Sequence, residues 1–188
     1  MKHVTFLNIN EEKREKFIFN KSGKYIVFFH NLSGKFFFDL KAKGIDLDIY
    51  GLFVGRNKNQ FKVETIQRHI APESTSNLLI KGVFYDESKF IYQGLIRIEK
   101  EAQKSHAYQK NQNIIMSDKC FIDSRPFLEI LANDVFCTHG STTGKLNQNK
   151  IYYLQTRMLD KSAAEKLLID GFIREITAKI GEYGHKIS

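Results

Sequence analysis

Cys137 and His139 stand two residues apart in the run Asp134-Val-Phe-Cys-Thr-His-Gly140. On an extended strand that spacing turns both side chains to one face. A thiolate and a neutral imidazole are both good ligands for iron, and two of them on one face could share a metal with residues of a partner chain. The bland reading makes Cys137 a small buried hydrophobe and His139 a capped residue at a strand end. Other chemistry-bearing residues are thinner. Cys120 stands alone, and Glu129 with Asp134 would make an acid and base pair only at a separation that the sequence does not fix, so solvated strand ends account for them.

Strands must position these residues. From residue 24 to about 144 the chain is a succession of short β-type runs divided by turn residues. Residues 25–29, 35–38, 45–53, 61–70, 78–85 and 89–98 read as strands, with breaks at Gly34, Gly44, Gly55 and Asp86. Ile45, Leu47 and Ile49 alternate with Asp46 and Asp48, the period-two pattern of a strand with one buried face. No helical stripe precedes about residue 147, which excludes a doubly wound α/β sheet. A nearly all-β architecture remains, and sandwich, barrel and β-helix all suit it. Asn111, Asn113, Ser117 and Asn133 are candidate corner residues of the last.

The period then changes. Ile151, Leu154, Gln155 and Met158 fit a short helix after Asn147, a plausible N-cap. Ala164, Leu167, Leu168, Phe172, Ile176 and Ile180 form the stripe of a second, amphipathic helix, with Asp160 as its N-cap and the capping box Ser162 to Glu165 as the rival start. Such a stripe packs into a core or docks in a partner's groove. Beyond Gly181 and Gly184 the tail is polar and expected to fray.

At 188 residues the chain suits one domain with a core of its own. Two cysteines are too few for a disulfide framework or an unaided four-ligand zinc site, and a reducing cytosol is the simplest compartment. No apolar run approaches the roughly 20 residues of a membrane span, and the start, with Lys2 followed by Glu11, Glu12 and Glu15, lacks a signal-peptide core. A net charge of +8 could serve a nucleic-acid partner, but the lysines are dispersed among aspartates, the pattern of a solvated surface.

Several segments together resemble the C-terminal half of the SufB/SufD family of iron–sulfur cluster assembly proteins. They are Gln67-Arg-His-Ile-Ala-Pro-Glu-Ser-Thr-Ser76, Lys81-Gly-Val83, Gly94 to Ile98 with Ala102-Gln-Lys104, Ala107-Tyr-Gln109, Asn113-Ile-Ile-Met-Ser-Asp118, Pro126-Phe-Leu-Glu-Ile130, Asp134 to Gly140, and Leu167-Leu-Ile-Asp-Gly-Phe172. Their order and spacing over roughly residues 60 to 175 carry the match. It implies a right-handed parallel β-helix over residues 1–146 and a helical segment over 147–188. It also implies a scaffold and not an enzyme. Family members pair through their β-helices, hold a SufC ATPase with their C-terminal helices, and build a transient iron–sulfur cluster at the seam.

The resemblance makes His139 and Cys137 the expected cluster-assembly and metal residues. Leu167, Leu168, Phe172 and Ile176 become the expected ATPase-binding residues, with Phe172→Asp as the variant that should abolish capture. The partners implied are a SufC-like ATPase and either a SufB-like subunit or a second copy. The histidine-bearing motif at 134–140 is similar to the SufD version. Asn111 stands where SufB has an essential cysteine, so this chain is not expected to be the main sulfur acceptor. Glu73 stands where relatives often carry a histidine, which argues against a metal site around His69. No glycine-rich Walker pattern occurs, so no ATP site is expected. Family members typically carry an N-terminal helical domain and a longer β-helix, whereas only about the first 60 residues precede the matching region here, and they read as extra β turns. The competing functions are a polysaccharide-acting β-helix, which needs convergent carboxylates and exposed aromatics, and salt-sensitive nucleic-acid binding.

Overall fold

Phenylalanine at alternate positions of successive strands dictates the architecture, because each strand must turn one face to a common interior. The computed structural model describes residues 4–12 and 14–183; Lys2 and the tail from Gly184 lie outside the described residues. The chain runs β1 (Val4–Asn8), α1 (Ile9–Glu12), β2 (Lys16–Phe19), β3 (Gly23–His30), β4 (Gly34–Leu40), β5 (Ile45–Gly55), β6 (Gln60–His69), β7 (Thr75–Phe84), β8 (Lys89–Ile98), β9 (His106–Ile115), β10 (Phe121–Ile130), β11 (Phe136–Gly144), α2 (Gln148–Gln155) and α3 (Lys161–Gly181). Odd-numbered strands form a six-stranded sheet and even-numbered strands a five-stranded one. Every ladder is parallel, and each strand from β3 to β9 pairs with the strand two before it and two after it, β1, β2, β10 and β11 being sheet edges. The result is a two-sheet β-solenoid whose coils each give one strand to each sheet.

The interior changes along the axis. Phe17, Phe19, Phe29, Phe36, Phe38, Phe53, Phe84 and Phe90 are buried in one cluster through the first coils, and neighbouring rings meet edge-on or stacked, as Phe53 with Phe90 at 4.9 Å. Ile9 of α1 closes this end of the core. The coils then lengthen: the cross-coil pair Lys24 and Asp46 is 22 residues apart, and Asn113 and Thr143 are 30 apart. The wider coils are filled by polar groups, most of which pair with one another; the buried Gln67 Oε1 does not. Tyr92 and Thr65 share a hydrogen bond of 2.8 Å, and Asn113 donates to Asn111 at 2.7 Å. Asn111 and Asn113 are therefore interior strand residues and not corners, whereas Ser117 and Asn133 do lie between strands.

Outside, the lysines answer acids on the next coil. Lys24 bridges Asp46 and Asp48 at 2.9 and 3.1 Å, Lys35 meets Glu64 at 2.7 Å, and Arg68 and Arg97 share Glu99 at 2.7 and 3.0 Å. The dispersed positive charge is thus spread along cross-coil ion pairs instead of gathered into one stripe.

The single helical turn α1 was not legible from periodicity; Asn8 makes it, its side chain accepting from the Asn10 amide at 3.2 Å. Asn147 caps α2 through the Lys150 amide. Asp160, not Ser162, caps α3, accepting from the Ala163 amide at 2.7 Å. Met158 falls in the turn between the helices, with a left-handed φ of 68°, and not in α2. α3 lies on the outer face of the six-stranded sheet, where Ile176 and Ile180 pack against Phe28, Leu52 and Leu79.

Candidate functional site at the uncapped end of the solenoid

β10 and β11 are the last strands of their sheets, and no further coil stacks on them among the described residues. Register shows what this leaves open. Leu128 and Ile130 pair with Ile96 and Ile98, both wholly buried, yet are themselves 39% and 40% exposed. They continue the interior row into solvent. Phe121, Phe127, Leu131 and Phe136 add exposed apolar surface around the same end. Interior-row apolar side chains left in solvent beside two unpaired strand edges are a surface that folded proteins usually cover.

β11 presents its interior row here. Cys137, His139, Ser141 and Thr143 pair in register with Ala107, Gln109, Asn111 and Asn113, four buried residues of β9. Cys137 and His139 do share a face, but their surroundings differ. Cys137, partly buried, packs on Ile96, Ile98, Ala102, Ala107 and Ala132, and burial pushes its thiol up to about 11. His139 is exposed, and no side chain among the described residues holds its imidazole. Ser141 donates to Ser124 of β10 at 2.9 Å, joining the two sheets across the mouth. Gln109, opposite His139, accepts from Gln67 at 3.4 Å and donates to the Gly94 carbonyl at 3.3 Å. The mouth is therefore one exposed imidazole in a ring of hydroxyls, amides and aliphatic groups, with no inward carboxylate on β10 or β11.

Among the described residues no group of three or more His, Cys, Asp and Glu could hold a metal ion. His69 is spoken for: it is wholly buried, and its ring nitrogens meet the Ser74 and Ser76 hydroxyls at 2.7 and 2.8 Å. Glu73 is paired with Lys43 at 2.9 Å. Glu129 is tied to Arg97 at 3.3 Å and faces outward. Cys120 rests 3.8 Å from the Ser88 hydroxyl, half-buried beside the aromatic core.

The four expected ATPase-binding residues do not share one free face. Ile176 is wholly buried against the sheet and is withdrawn from any docking surface. Phe172 is half-buried under the Lys81 ammonium, 4.6 Å from its ring centre, and Leu168 is half-buried too. Leu167 is 50% exposed. Sequence reasoning missed its exposed companions Tyr152, Tyr153 and Met158, the last 98% exposed at the helix turn. It also missed Ser124, Ser141 and the apolar ring of the mouth. The alternation through residues 107–113 was the available signal for the polar interior.

The comparisons agree with this architecture. The family model for the SUF system FeS cluster assembly SufBD core domain matches residues 30–172, and the chain belongs to that family. It is 32% identical over 111 residues to the iron–sulfur cluster assembly protein SufD of Escherichia coli (strain K12), covering 59% of this chain and 26% of that protein. It is 30% identical over 148 residues to the SufD of Bacillus subtilis (strain 168), covering 79% and 34%. The chain thus spans about a quarter to a third of the length of these curated relatives.

Proposed function

We propose that this chain is a SufD-like scaffold subunit of an iron–sulfur cluster assembly complex, with the cluster as its transient cargo and no active site of its own. The observation that carries the reading is the uncapped end. An interior row of strand residues emerges into solvent there with His139 in it, beside two free edges and a ring of exposed apolar groups. In this reading a SufB-like subunit, or a second copy, covers the patch and supplies the ligands that His139 lacks. His139 is the metal ligand of this chain. Cys137 packs the wall behind it.

The helical hairpin holds the SufC-like ATPase through Leu167, Tyr152, Tyr153 and Met158, its large side chains that are half or more exposed. Phe172→Asp would disturb the packing of α3 as well as any docking, so Leu167→Asp is the cleaner probe. The test is anaerobic reconstitution with the SufB-type subunit and SufC-type ATPase of the same organism, reading subunit composition and cluster absorbance. His139→Ala should keep the complex intact and lose tenfold or more of the absorbance. Leu167→Asp should release the ATPase while pairing persists. Full absorbance in His139→Ala, or ATPase retention in Leu167→Asp, contradicts the respective half of the reading.

A further inference from the structure

Three features of α3 converge on one point of the helix. Its C-terminal half is anchored, with Ile176 and Ile180 buried on the sheet. Its N-terminal half keeps one buried residue, Ala164, and borders a cleft of about 400 Å³ floored by Val54, Arg56, Val83, Tyr85 and Met116. At the boundary lies Gly171, where an added Cβ would meet nothing within 4 Å. A glycine inside a helix loosens it relative to alanine, and no close approach requires one here. The next residue is pinned: Lys81 of β7, 4% exposed, donates to the Phe172 carbonyl at 2.7 Å, pairs with Glu175 at 2.5 Å and caps the Phe172 ring. An almost buried ammonium tied to a carbonyl, a carboxylate and a ring fixes position more than it adds stability.

We propose that α3 is a hinged lever: Lys81 is the fixed pivot, Gly171 the hinge, and the segment from Lys161 to Asp170 swings into and out of the cleft together with α2. Arg56 on the floor, stacked on Tyr85 at 4.3 Å, faces Glu165 and Asp170 across the cleft, with Lys166 the one like charge on the helix side. The hinge is a property of this chain alone. What drives it rests on the ATPase-docking reading, because the exposed docking side chains ride on the moving half.

The test is amide hydrogen exchange by mass spectrometry on the isolated chain, so its outcome is independent of any ATPase. Residues 161–170 should exchange at least tenfold faster than 173–180. Gly171→Ala should slow 161–170 about fivefold and leave 173–180 unchanged. Lys81→Met, which keeps the buried stem and removes the ammonium, should speed exchange in 173–180. One uniform exchange rate along 161–180, or equal slowing of both halves by Gly171→Ala, overturns the hinge. Unchanged exchange in Lys81→Met overturns the pivot.

Discussion

His139 and Cys137 are neighbours in sequence with opposite fates, and solvent access separates them. The thiolate is the nucleophile and the ligand, and burial leaves little of it on Cys137 near neutrality. Iodoacetamide at about pH 8, near the ordinary thiol range, should label Cys137 far more slowly in the folded chain than in urea; equal rates would contradict its burial. His69 offers a second prediction. Desolvation lowers its pKa from 6.5 to about 4. A base depressed in the fold contributes stability that is full above its unfolded value and is lost as pH falls toward the folded one. The loss should reach roughly 3 kcal/mol in all, and most of it should be visible in urea titrations between about pH 6.5 and 4.5. His69→Gln should flatten that slope; an unchanged slope would show that other groups set it. The pairing of Cys137 and His139 on one face was legible from their spacing. Their difference was not, because it depends on Ala102 and Ala132 closing over one and on the missing next coil beside the other.

Elements show the same division. Strand 89–98 and the caps Asn147 and Asp160 were legible because alternation and capping are local. The polar interior was not: Asn111 and Asn113 read as corner residues until the parallel register puts them inside with Gln67 and Gln109. That interior depends on close packing at Gly94, where an added Cβ would overlap the Gln109 amide and the hydroxyl of wholly buried Tyr92. Gly94→Ala should cost about 2 kcal/mol in urea unfolding; a neutral result would mean that Gln109 can leave the interior. Asp160→Ala should cost about 1 kcal/mol by loss of the α3 cap, measured in the same titrations.

For the whole molecule, the solenoid has two unlike ends. One is closed by α1 over a phenylalanine core. The other stops in mid-pattern, with the interior rows of β10 and β11 in solvent. The local strand pattern carries no sign of this polarity, since Leu128 and His139 look like ordinary alternating strand residues and are exposed because no coil among the described residues stacks on β10 and β11. Fully burying an exposed apolar side chain of this size is worth about 1.5–3 kcal/mol, so covering Leu128 and Ile130, 39% and 40% exposed, favours a partner stacked on this end. The most direct measurement is amide hydrogen exchange of this chain alone and in its reconstituted complex. The account predicts new protection along β10 and β11 on assembly and none along β1 and β2. Protection appearing at β1 and β2, with β10 and β11 still open, would contradict it.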